Sequence, residues 1–171
     1  VANAIVQTTH AHLYQKACQQ YGIPSYLNAF KQLETSELAI VGMGKLGAGS
    51  INYYSDLDII FIFSHIGETT GKEPISNAQF YAKLAQKFIH TLSIITNAGK
   101  CYDIDTELRP SGNSGALVTS YDHFIDHQMN RAQNWEHQAL IRARTISSSP
   151  EFTILLDDQI NKLTYERSLP D

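Results

Sequence analysis

Residues 57–63, LDIIFIF, constrain the fold more than any other stretch. Every side chain in it except Asp58 is large and apolar, so a strand here is hydrophobic on both faces. A strand of that kind is expected in the middle of a sheet, with neighbours on either side and cover above and below. The chain is large enough to supply that cover. It has 171 residues, of which 43% are hydrophobic and 18% charged. That is ordinary globular composition and enough for one domain, with room for a small appendage.

Asp56 and Asp58 stand at the mouth of this strand. Residues i and i+2 of a strand share a face, with Cα atoms ~6.5–7 Å apart. Two carboxylates ~5 Å apart repel by roughly 3 kcal/mol at an effective dielectric of ~20. Against a total stability of ~5–15 kcal/mol for a domain, that repulsion calls for compensation. A divalent metal supplies it, and so do Arg or Lys partners. Plain solvation at a strand end also suffices. The pair alone does not choose among them.

The rest of the chain reads as follows. Residues 3–22 form a helix that ends at Gly22, with Pro24 beyond it. ELAIVGM is a short apolar strand, and GKLGAGS a glycine-rich turn. SHIGETTGKEP reads as an exposed loop. NAQFYAKLAQKFIHTLSIIT is an amphipathic helix whose stripe is Phe80, Leu84, Phe88 and Leu92, flanked by Tyr81, Ala85 and Ile95. KCYDIDTEL alternates, placing Asp103, Asp105 and Glu107 on one side of a half-polar strand. RPSGNSG is a turn-rich loop, with ALVTS a short extension of it. From Tyr121 onward YDHFIDHQM, NWEHQALIRART and EFTILLDDQINKL read as helices. The order predicts an α+β fold with a helical C-terminal part. Residues 1–120 are expected as a core with its N-terminal helix, and residues 121–171 as a helical segment packed on it.

A strand over 101–108 lying beside 57–63 would bring Asp103 or Asp105 to Asp56 and Asp58. Three carboxylates from two strands make a hard-oxygen site suited to Mg²⁺. Two such ions can clamp the attacking and leaving oxygens of a phosphoryl or nucleotidyl transfer. The turn GMGKLGAG offers the complementary half. Gly42, Gly44, Gly47 and Gly49 let backbone amides approach a polyphosphate, and Lys45 adds a positive charge. The pattern of a P-loop does not continue after Lys45.

VGMGKLGAGSINYYSDLDIIFIF, QFYAKLAQKFIH, YDIDTELRPSGNSGALVTS and NWEHQALIRAR occur in one order over roughly residues 36–146. Together they resemble the nucleotidyltransferase domain of bacterial glutamine synthetase adenylyltransferases, within the DNA polymerase beta-like nucleotidyltransferase superfamily. The resemblance implies a mixed sheet with flanking helices, and Asp56, Asp58 and Asp105 as catalytic and metal-binding residues. It places the third carboxylate at Asp105 rather than Asp103. Gly42, Gly44, Lys45, Gly47, Ser55, Arg109, Ser111 and Gly112 are the expected nucleotide-binding residues. ATP is the implied substrate, with Mg²⁺, two ions, as cofactor. Glutamine synthetase is the implied protein substrate, in the control of nitrogen metabolism. A PII-type signalling protein is the implied regulator, acting through a longer two-activity enzyme. RPSGNSGALVTS and WEHQALIRAR resemble the half of that enzyme that attaches AMP. The half that removes AMP by phosphorolysis is the alternative. Ala48, Ser50 and Glu107 depart from the family's usual Gly, Glu and Arg and bear on triphosphate affinity.

Composition narrows the remaining classes. The formal net charge is −4, the wrong sign for a general nucleic-acid binder. No apolar run approaches the ~20 residues needed to span a bilayer. Cys18 and Cys101 fit no metal or redox spacing and read as free thiols of a cytoplasmic protein. A non-catalytic nucleotide sensor remains a rival from another class. A receiver-like domain is opposed by the helical C-terminal third. Four more residues have a bland reading beside the functional one. His123 and His127 have metal-ligand spacing on a helix but no third ligand. Trp135 reads as a core anchor, with a substrate-side role as the alternative. Arg109 either binds phosphate or pairs with one of the acids. Of Arg142 and Arg144, two apart on a presumed helix, at most one faces the site.

Overall fold

The computed structural model describes residues 1–52, 55–96 and 99–165. Its central element is the expected one. Leu57–Phe63 (β4) is paired on both sides. One neighbour is Leu38–Gly42 (β3), antiparallel from Leu38↔Phe63 to Gly42↔Ile59. On the other edge two short parallel strands lie end to end. Ile104–Asp105 (β8) pairs with the start of β4, and Val118–Ser120 (β9) with its end. The chain between them leaves the sheet and returns to it.

The two apolar faces of β4 bury different helices. Leu57, Ile59, Phe61 and Phe63 pack with helices Ala2–Tyr21 (α1) and Asn77–Ser93 (α3). Ile60 and Ile62 face helices Tyr121–Asn130 (α4), Asn134–Leu140 (α5) and Pro150–Tyr165 (α6). Each fully buried side chain of this size contributes ~1.5–3 kcal/mol by transfer out of water. Asp58 continues the second row, so the carboxylates lie on the α4–α6 side of the sheet.

Local chemistry starts and stops these helices. Ser76 and Gln79 form a reciprocal capping box at the start of α3. Its Phe80, Leu84, Phe88 and Leu92 are buried, as are Tyr81 and Ala85. Ile95 is instead 78% exposed. It lies past the helix end, in Ile95–Thr96 (β6), which pairs with Gly99–Lys100 (β7). α1 ends before Gly22, as expected. It is fastened to the sheet by Gln7, which donates to the Ile146 carbonyl, and by His10, whose Nδ1 lies 2.8 Å from Ser147 Oγ. Burial pulls the His10 pKa down to about 4.

Besides Ile95, several regions differ from the sequence reading, among them ALVTS, expected as a loop extension, which supplies β9. Pro24–Leu27 (β1) and Leu33–Thr35 (β2) form an unanticipated hairpin. Glu68–Thr69 (β5), from the expected loop, adds to it as a third strand. Within the expected glycine-rich turn, Gly44–Gly47 (α2) forms a single turn of helix. The helix expected over NWEHQALIRART stops at Leu140, and Arg144–Ser147 (β10) is a strand antiparallel to β3. The free edge of β3 explains this: its backbone groups need partners, and those of residues 144–147 supply them. The segment expected to be helical from residue 121 therefore completes the sheet, in the order β10-β3-β4-β8. Residues 166–171 of that segment lie outside the described residues.

Candidate active site

Parallel pairing of β4 with β8 sets Asp58 directly beside Asp105. Partners in a parallel ladder point to the same face, so the two carboxyl groups are neighbours. Asp56 stands two residues before Asp58 and is exposed. Asp58 interacts electrostatically with both of the others. Burial pushes the Asp58 pKa above the usual carboxylate range, and the charges of Asp105 and Asp56 push it further. Lys45 opposes them.

Register also separates Asp105 from Asp103, which alternation alone leaves equivalent. Asp103 is exposed, and its carboxylate pairs with Lys100. Asp105 Oδ1 accepts the Glu107 N–H at 2.7 Å, which fixes its carboxyl group and ends the strand after two residues. An open depression of about 400 Å³ lies over this end of the sheet, lined by Asp56, Asp105, Thr106, Glu107 and Asn113 among others.

The glycine turn presses on the acids. Gly44 has φ +47°, and a Cβ built on it would lie 2.6 Å from Asp58 Oδ2. Only a residue without a side chain brings the backbone this close to the carboxylate at that φ. The Met43 N–H donates to the Asp58 carbonyl at 2.8 Å, tying the turn to β4. Lys45 is exposed on α2. Gly47 and Gly42 are buried, each against the β10 region. Ser55 is half-buried, and its N–H donates to the Asn52 carbonyl at 3.1 Å.

The loop between β8 and β9 carries the remaining expected residues. Arg109 makes no ion pair among the described residues, so the expected alternative of a salt bridge to an acid is not what this structure has. Its guanidinium donates to the Thr106 carbonyl and Oγ1, to Asn113 Oδ1 and carbonyl, and to the Gly115 carbonyl. Five bonds to one short loop make it the brace of that loop. Ser111 and Gly112 both adopt positive φ, 63° and 56°. They line a second cavity of about 390 Å³ that reaches His127 and Glu136.

Trp135 is not a core anchor: it is 43% exposed, its indole N–H bonded to Gln133 Oε1. The buried residue of that motif is its neighbour. Glu136 is 5% exposed, Oε1 lies 2.8 Å from His127 Nε2, and Oε2 accepts the Gln133 N–H. No spacing rule pairs residues 127 and 136 across two helices, so the sequence reading passed over Glu136. Its one signal was the Gln133-x-x-Glu136 capping box.

An all-oxygen donor set from Asp56, Asp58 and Asp105 suits a hard cation such as Mg²⁺. Among the described residues no three His, Cys, Asp or Glu side chains are already gathered as a ligand set. Mutual repulsion favours that spread, and Asp105 is turned to its own loop. The donors fit the ion in kind, and Asp58 lies within electrostatic reach of the other two.

A mixed sheet with helices on both faces, acids at the start of its central strand and a glycine turn against them define a nucleotidyltransferase-like fold. A family model described as glutamate-ammonia ligase adenylyltransferase matches residues 1–159. The chain belongs to that family, nucleotidyltransferases that act on glutamine synthetase. Among the described residues no helix is long and apolar enough to cross a membrane.

Proposed function

We propose that this chain transfers AMP from ATP to a tyrosine of glutamine synthetase, with Asp56, Asp58 and Asp105 as its catalytic centre. The observation that carries the reading is the pairing of Asp58 with Asp105 beside Gly44. It sets acids from two strands next to a turn able to take phosphates. The direction of transfer is supported by RPSGNSGALVTS and NWEHQALIRAR, which resemble the AMP-attaching half of such enzymes.

Bound at the three carboxylates, Mg²⁺ would neutralise them and the triphosphate together. The chain's own residues do the rest. Backbone amides at the start of α2 and the Lys45 ammonium hold the β- and γ-phosphates. Arg109 holds the loop carrying Ser111 and Gly112 in shape beside them. The phenolic oxygen of the acceptor bonds to the α-phosphorus as the bond to the β-phosphate oxygen breaks, and pyrophosphate leaves with that electron pair. Asp105 accepts the phenolic proton. Positioning and charge complementarity supply most of the acceleration.

Incubating the chain with ATP, Mg²⁺ and unmodified glutamine synthetase should add one AMP per acceptor tyrosine, read as intact mass. Release of ADP from adenylylated glutamine synthetase and phosphate, with no transfer from ATP, would reverse the direction. Binding of ATP with neither reaction would make the chain a nucleotide sensor.

A further inference from the structure

We infer that Arg144 is a positioning residue, which holds the glycine-rich turn against Asp58. It opens β10, opposite Gly42, the last residue of β3 before the turn. Its Nε–H donates to the Gly47 carbonyl at 3.1 Å, across 97 residues of sequence. Gly47 ends the one-turn helix α2, where carbonyls lack partners within the helix. Arg144 satisfies one of them.

The surroundings show how tightly the turn is held. A Cβ on Gly47 would fall 1.8 Å from the Arg142 carbonyl oxygen. One on Gly42 would fall 2.8 Å from the Ile146 side chain. The turn therefore lies flat on the Arg142–Ile146 segment. Its other side meets Asp58, through the Gly44 approach and the Met43–Asp58 bond. Inside the turn Gly47, Ala48, Gly49 and Ser50 donate in sequence to Met43, Gly44, Leu46 and Lys45. Loosening the Gly47 carbonyl should loosen that whole set, and with it the placement of Lys45. Arg142 is not bonded this way. Of the two arginines, the strand register selects Arg144.

That the turn holds phosphate rests on the proposed function; that Arg144 fixes the turn does not, so the test has two parts. The first uses the nucleotide-free chain. In Arg144→Ala the Gly47–Ser50 amides should exchange with solvent about tenfold faster, the effect of losing one hydrogen bond. The amides of β4 and the melting temperature should change little. Arg144→Lys and Arg144→Gln each keep one N–H donor for the Gly47 carbonyl and should restore most of the protection. Unchanged exchange in Arg144→Ala, or an equal loss across β3 and β4, would overturn the inference.

The second part is kinetic. Arg144→Ala should raise KM for ATP roughly tenfold with kcat nearly unchanged, and both Lys and Gln should return KM toward wild type. Rescue by Lys but not by Gln would replace positioning by a direct contact of charge with phosphate. If the exchange results hold but the wild-type chain transfers no AMP, the proposed function fails and the positioning role stands. If the wild-type chain transfers AMP but exchange is unchanged, only the Arg144 inference fails.

Discussion

Asp58→Asn should lower AMP transfer by about 10³-fold or more, since a lost metal ligand forfeits several kcal/mol of charge stabilisation in the transition state. The same change should raise stability at neutral pH in the absence of divalent cations. Asp58 has a folded pKa above its ordinary value of 3.8. Ionising such a carboxyl costs the folded state stability. The cost is absent below about pH 3.8 and grows as pH rises through the folded pKa. Asparagine does not ionise, so the variant should melt above wild type at pH 7 and converge with it below the ordinary carboxylate range. Calorimetry across pH reads both limbs. Added Mg²⁺ should reverse the order, because only the wild-type centre gains from binding the ion. Near-normal turnover in Asp58→Asn would remove this residue from the mechanism.

The second large effect is on stability. Glu136→Ala should cost roughly 2–4 kcal/mol, an unpaired buried polar group at ~1–3 kcal/mol plus a lost helix cap at ~1 kcal/mol. It leaves the buried His127 Nε2 without this partner and the Gln133 N–H, at the exposed start of α5, without its cap. At about 2–4 °C per kcal/mol for a chain of this size, the melting temperature should fall by ~10 °C. Glu136→Gln keeps an acceptor for the Gln133 N–H and should lose less. Equal melting temperatures for Glu136→Ala and wild type would show that the pair does not support the α4–α5 layer.

These two sites differ in how legible they were. β4 could be read from composition, because five consecutive apolar residues after Asp58 have no stable place but a covered sheet. Asp56 and Asp58 stood out for the same reason, as charges against that background. Choosing Asp105 over Asp103 needed more than period-two alternation, which puts both on one face. The family resemblance chose Asp105. In the structure the register sets Asp105 beside Asp58, while Lys100 takes Asp103. β10 could not be read, because IRART continues the apolar spacing of NWEHQAL and its strand state depends on the distant edge of β3. That error also left Arg142 and Arg144 undecided, since the bond of Arg144 to Gly47 needs an extended backbone beside Gly42. Trp135 was misread because indole area was weighed above position. It sits near the start of a seven-residue helix that turns Glu136 inward instead.

The central claim is that β4 and β8 together build one divalent-cation centre. Mn²⁺, a paramagnetic stand-in for Mg²⁺, tests it through line broadening in amide NMR spectra of the chain. Broadening should centre on residues 56–58 and 104–107 and reach the Gly44–Lys45 amides. In Asp58→Asn it should appear only at much higher Mn²⁺. Broadening centred elsewhere, or equally strong in wild type and Asp58→Asn at the same Mn²⁺, would contradict the claim.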